Sequence, residues 1–268
     1  MIEVGIDYLK KMIEGKRVAL IGPAEYVCKE LGKEHGRLID NYDVVIRLNG
    51  MINYPNKELE NYYGKRIDIL ASSFWYTKER DYELNKKISG DKYYKGERYA
   101  NPSNYQNINK ELLLFENMPR RLFERIYNSN NEMFDNKNNL KYHCITASFS
   151  NKTHNFLYNI CHLNKGTTTG MLTIANILLC GPKKLYISGL TFYKDTKYKA
   201  YYNDYHERKE GSENYTDYYN NTVMNGNIIS ESVKLMTGHN IKGEQEIFNN
   251  LIMNKKIKVD NYLFNLYN

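Results

Sequence analysis

In TTTGMLTIANILLCG, residues 167–181, three hydroxyls and a glycine crowd the start of an apolar run. One Ser or Thr is enough to cap a helix. The surplus offers an anion site, because first-turn N–H groups lack intrahelical partners and the helix dipole favours negative charge there. Gly170 would let a ligand approach the backbone closely. The competing reading is an ordinary cap on a buried helix, since Met171, Leu172, Ile174, Ala175, Ile177 and Leu178 have core character.

Three further stretches could carry chemistry. In DVVIRLN (43–49), Arg47 and Asn49 bracket Leu48, so both side chains point to one side of a strand end. A guanidinium and an amide there suit phosphate, ribose or a base edge. The alternative is an Arg paired with a neighbouring Asp while Asn49 shapes a turn with Gly50. VALIGPAEY (18–26) is a strand running into Gly22 and Pro23, where a nucleotide could meet a sheet. It has neither GxGxxG nor a phosphate-loop ending in GKS or GKT. GHNIKGEQEIFNNL (238–251) sets His239 at a helix break with Glu244 five residues on. A histidine on a short connector can act as a general base near neutral pH, with a carboxylate to orient it. The opposing reading is a surface histidine.

Five apolar runs read as the strands that would position these groups: 17–22, 43–49, 66–72, 143–148 and 184–190. Several are nearly continuous in Val, Ile and Leu, as central parallel strands covered on both faces are. Helical patterns lie at 2–14, about 25–35, 152–161, 169–180, 227–237 and 243–254. The alternation predicts an α/β fold with a doubly wound, mostly parallel sheet flanked by helices, in a single domain over 1–268. Ligands of such sheets bind beyond the carboxyl ends of the strands. The Asn/Lys/Tyr-rich stretch at about 78–140 reads as a variable insertion with some helix around 110–127.

The chain has 268 residues, 41% of them hydrophobic, which is enough for a sizeable core. The most apolar run, about Met171 to Cys180, is about half the length a membrane-spanning helix needs. The N-terminus lacks the layout of a secretion signal. The net charge of +7 is a mild excess of scattered bases without a nucleic-acid-binding motif, so no nucleic acid partner is expected. Cys28, Cys144, Cys161 and Cys180 contain no CxxC pair, so no metal site is expected and a reducing, cytoplasmic compartment is. KKIK at 255–258 is a short basic cluster suited to peripheral membrane association.

Taken in order, these segments resemble the sialylmotifs of glycosyltransferase family 29, the animal-type sialyltransferases. VALIGPAEY, IDNYDVVIRLN and YGKRIDIL are similar to the large motif, TTTGMLTIANILLCGPKKLYISGL to the small motif, and HNIKGE to the very small motif. KAYYNDYHE (199–207) occupies the place of the tyrosine-rich third motif. The resemblance spans about 18 to 250, apart from the insertion. It implies a GT-A-like variant of a single Rossmann-like domain. The implied activity is inverting and metal-independent, with a CMP-sugar, foremost CMP-Neu5Ac, as donor substrate and no cofactor. The implied acceptor is a hydroxyl of a glycan or glycolipid.

Carried onto this chain, the resemblance implies that Asn49 contacts the nucleotide, with Gly22 at the turn and Arg47 supporting the strand end. Thr168, Thr169 and Gly170 would line the CMP phosphate and ribose. His239 would be the base that deprotonates the acceptor, and Glu244 its motif partner. Tyr201, Tyr202 or His206 would stabilise the departing CMP. Three departures stand out: Pro23 where the family has Asn, His206 after rather than before the tyrosines, and Val18 where a Cys would bridge to Cys180. The missing bridge fits a reducing compartment. Two rival readings remain: a transferase using another CMP-sugar such as CMP-Kdo, and a non-catalytic CMP-binding or scaffold protein of the same fold.

Overall fold

The computed structural model describes residues 6–48, 59–72, 111–114, 141–144, 167–195, 197–198 and 241–268. In chain order these form α1 (Ile6–Ile13), β1 (Arg17–Ile21), α2 (Tyr26–Glu30), α3 (His35–Asp40), β2 (Val44–Leu48), α4 (Glu60–Tyr63), β3 (Ile69–Ser72), β4 (Glu111–Leu114), β5 (Lys141–Cys144), α5 (Thr169–Leu179), β6 (Lys184–Ser188), α6 (Ile241–Met253), β7 (Lys258–Val259) and α7 (Asn261–Tyr267).

The strands form one seven-stranded sheet in the order β5-β4-β3-β2-β1-β6-β7. Every pairing is parallel, where the sequence predicts a mostly parallel sheet. The chain steps outward from β1 through β2 to β5, then returns to place β6 and β7 on the other side of β1. That reversal makes a topological switch point between β1 and β6.

Continuous burial explains the central strands. All five residues of β2 are buried, and β1 and β6 are buried after a first exposed residue. Helix α5 is buried along most of its length, from Gly170 through Ile177, which accounts for its apolar composition. Ile13 of α1, the apolar side chains of β1 and β2, Ile174 and Ile177 of α5, and Phe248 and Ile252 of α6 share one core.

Several elements differ from the sequence expectation. Glu111–Leu114 is a strand within the sheet, not part of a helix, so the stretch read as an insertion supplies β4. The helix expected over about 25–35 is two helices, because Leu31 turns to an extended conformation with φ −95° and ψ 142°. Helices α4 and α7 and strand β7 were not foreseen. The segments expected to be helical at 152–161 and 227–237 lie outside the described residues.

Candidate functional site

The carboxyl ends of β1 and β6 meet at two glycines. Gly22 N–H donates to the Ser188 carbonyl at 2.8 Å, and Ala24 N–H to the Gly189 carbonyl at 3.1 Å. A Cβ on Gly22 would stand 2.2 Å from the Gly189 oxygen, and one on Gly189 would stand 2.2 Å from the Gly22 oxygen. Gly189 also has φ +74°, which only glycine adopts without strain. Gly22 is thus required by backbone crossing at the switch point.

A buried polar chain braces this crossing. The Tyr26 hydroxyl accepts from Gly189 N–H at 2.6 Å and donates to Asp260 Oδ2 at 2.8 Å. Asp260 Oδ1 in turn caps α7 by accepting from Leu263 N–H at 2.9 Å. Burial and the neighbouring Asp260 carboxylate push the Tyr26 hydroxyl pKa well above its ordinary value, so it stays a donor. The Tyr26 ring stacks on Tyr262 with centroids 4.4 Å apart. On the other flank, His35 Nδ1 lies 2.7 Å from the Tyr62 carbonyl and Nε2 lies 2.8 Å from the Tyr186 hydroxyl. Since a carbonyl only accepts, Nδ1 carries the proton and Nε2 accepts from Tyr186. Burial lowers the His35 pKa, which favours that neutral tautomer. Tyr26, His35, Tyr186 and Asp260 were not singled out as candidates. Asp260 is the cap of α7, whereas the other three pair across the fold with nothing local to mark them.

Helix α5 opens beside the crossing. A Cβ on Gly170 would lie 3.5 Å from Leu190, 3.6 Å from Phe192 and 3.8 Å from Leu48, all ordinary contacts. The helix start therefore sits over the carboxyl end of β2 and the loop that follows β6, and packing does not require a glycine there. Thr168 is the N-cap: its Oγ1 accepts from Met171 N–H at 3.3 Å. Thr167 is buried, and the Thr169 carbonyl accepts from Thr173 Oγ1 at 2.6 Å.

Glu244, in the first turn of α6, completes the arrangement. Thr168 N–H donates to Glu244 Oε1 at 2.6 Å, and Thr168 Oγ1 meets Oε2 at 2.6 Å. Glu244 is fully buried. Burial pushes its carboxyl pKa up to about 8, against the two Thr168 bonds, which pull it down. Among the described residues its hydrogen bonds go to Thr168, so it fixes the start of α5. Gln245 Nε2 donates to the Phe192 carbonyl at 2.8 Å, and the Tyr267 hydroxyl donates to the Thr191 carbonyl at 2.9 Å. Helices α6 and α7 thereby hold the loop that leaves β6.

Arg47 turns inward. Its Nε donates to the Arg66 carbonyl at 2.9 Å, and Nη2 donates to the Tyr63 and Gly64 carbonyls, each at 2.8 Å. The side chain is fully buried and pins the α4–β3 connection to β2. These three bonds go to backbone carbonyls, and they fix the guanidinium at the β2 strand end. Cys180 is a free, buried thiol whose pKa burial pushes up to about 12, and Cys28 is free as well. Asn49, Tyr201, Tyr202, His206 and His239 lie outside the described residues.

Among the described residues, no group of three His, Cys, Asp or Glu could hold a metal ion, and no helix is long and apolar enough to cross a membrane. Compared with known proteins, the chain matches no family model and no curated relative.

Proposed function

We propose that this chain is an inverting, metal-independent glycosyltransferase of GT-A-like fold, moving sialic acid from CMP-sialic acid to a glycan hydroxyl. The observation that carries the reading is the Thr168–Glu244 pair. It joins the TTTG and HNIKGE segments beside the β1/β6 switch point, the usual ligand crevice of a doubly wound sheet. Two motifs that the resemblance relates only by order are in contact.

In this reading the donor's phosphate lies at the start of α5. The first-turn N–H of Gly170 has no partner among the described residues and, with the helix dipole, suits an anion. His239, two residues before Ile241 in sequence, takes the proton of the acceptor hydroxyl. The acceptor oxygen forms a bond to the anomeric carbon from the face opposite the phosphate. The anomeric carbon–oxygen bond breaks, its electron pair leaves with CMP, and configuration inverts. Asn49 holds the nucleotide, and Tyr201, Tyr202 or His206 stabilises the charge on the leaving phosphate.

Purified protein incubated separately with CMP-Neu5Ac and with CMP-Kdo, with and without EDTA, tests this by CMP release. Release from CMP-Neu5Ac that is indifferent to chelator, and nearly abolished in His239→Ala with CMP affinity kept within a few-fold, is the expected result. Release only from CMP-Kdo reassigns the donor. CMP binding without release from either donor, across a panel of glycan acceptors, points to the non-catalytic reading. Absence of CMP binding refutes both.

A further inference from the structure

In a parallel sheet the amino-terminal ends of all strands share one edge. The ends of β1, β6 and β7 are adjacent, with Arg17 opposite Lys184 and Tyr186 opposite Lys258 in register. That edge carries Lys16, Lys183, Lys184, Lys255, Lys256 and Lys258, all exposed. They come from three segments far apart in sequence, so the cluster is a product of the fold and much larger than KKIK alone. No ion pair joins any of the six to a described residue. The acids on the same edge are bonded chiefly to other groups, with Lys16 adding a weaker attraction to Asp43. Asp43 binds Arg17 at 2.8 Å, Asp68 binds Arg66 at 2.8 Å and Glu14 pairs with Lys10 at 3.3 Å. Asp40 accepts the backbone N–H groups of Lys65 and Arg66.

Two exposed apolar side chains belong to this edge. Helices α5 and α6 both run down to it before β6 and β7 begin, and near their ends stand Leu179, 38% exposed, and Met253, 56% exposed. Lysines around projecting apolar side chains match a bilayer interface, where ammonium groups meet lipid phosphates and apolar groups enter the headgroup layer. Nucleic acid would use the charges but leave Leu179 and Met253 without a role.

We infer that the lysine-rimmed amino-terminal edge under β1, β6 and β7 docks the protein on an anionic membrane surface. The β1/β6 crevice lies at the opposite edge, about 16 Å away along a five-residue strand, and so faces away from the lipid. The docking is independent of the chemistry proposed for that crevice.

Cosedimentation of the full chain with vesicles of phosphatidylcholine, with and without about one third phosphatidylglycerol, tests the inference. Binding is expected only to the anionic vesicles, falling steeply as salt is raised to about 0.5 M. Each lysine near an anionic surface contributes about a fivefold factor. Combined Lys183→Gln, Lys184→Gln, Lys255→Gln and Lys256→Gln therefore lowers binding by roughly two to three orders of magnitude, with the melting curve unchanged. Met253→Ser lowers vesicle binding several-fold and leaves binding to duplex DNA unaltered. Failure to bind anionic vesicles at low salt overturns the proposal. So does an equal loss on changing Lys29, Lys33 and Lys242, which lie off this edge. DNA binding tighter than vesicle binding, with Met253→Ser indifferent, reassigns the edge to nucleic acid and overturns the lipid partner.

Discussion

Glu244→Gln isolates the contact on which the site is built. The carboxyl group titrates at about 8 in the folded protein against an ordinary 4.5. Between those values the folded chain keeps a proton that the unfolded chain has released. The unfolded state then binds fewer protons, and stability falls as pH rises. The contribution is complete below pH 4.5 and gone above about pH 8. At about 1.4 kcal/mol per pH unit, the window is worth roughly 4–5 kcal/mol. Glutamine keeps an acceptor for Thr168 N–H and offers an N–H to Thr168 Oγ1, mimicking the protonated acid without titrating.

Urea denaturation of wild type and Glu244→Gln at pH 5, 7 and 9 reads this directly. The two proteins should lie within about 1–2 kcal/mol at pH 5. The glutamine variant should be the more stable by roughly 4 kcal/mol at pH 9. His35, whose pKa burial lowers, acts in the opposite sense: its contribution is present above its ordinary pKa and lost as pH falls below it. It is common to both proteins and cancels in the difference. Equal pH slopes for the two proteins would refute the buried, proton-retaining Glu244.

Gly22→Ala should cost at least about 3 kcal/mol in urea denaturation, because the new Cβ meets a backbone oxygen that cannot swing aside; a wild-type midpoint would contradict the crossing at the switch point. Gly170→Ala should leave stability unchanged or raise it by up to about 1 kcal/mol. Its loss of CMP affinity in calorimetry would then report ligand approach, and an unchanged affinity would remove Gly170 from the proposed nucleotide site. Tyr26→Phe strips an acceptor from Gly189 N–H and a donor from Asp260, at about 2–4 kcal/mol. Faster amide exchange at Gly189 would check it, and unaltered exchange would count against the brace.

The central strands were legible because β1, β2 and β6 are continuous apolar runs, which a sheet covered on both faces demands. The same covering hides the surroundings of Arg47 from any sequence pattern. Alternation sorts side chains only where one face meets solvent, and every residue of β2 is buried. Strand β4 was missed because ELLL is too short for periodicity to separate strand from helix, and its identity comes from pairing with β3 and β5. Helix α7 was legible in principle from Asp260 and the spacing of Leu263 and Tyr267. The extra hydroxyls at residues 167–169 mark the start of α5, but the partner of Thr168 lies 76 residues away. No local pattern encodes that contact.

That contact changes how mutations in the crevice should be read. Glu244 and His239 sit five residues apart in one motif, so loss of activity in a Glu244 variant invites assignment to the proton transfer. Its carboxyl group is instead bonded to the cap of α5, and truncation to alanine would leave Thr168 N–H without its acceptor. The displaced element would be the helix start proposed to hold the donor phosphate. An effect through α5 weakens CMP binding and is rescued by glutamine, which restores both contacts. An effect through His239 lowers turnover, leaves CMP binding intact and, above about pH 8 where the carboxyl group is ionised, is not rescued, because glutamine carries no charge to support an imidazolium. Glu244→Ala and Glu244→Gln compared in CMP affinity and in turnover therefore separate positioning from chemistry at this residue.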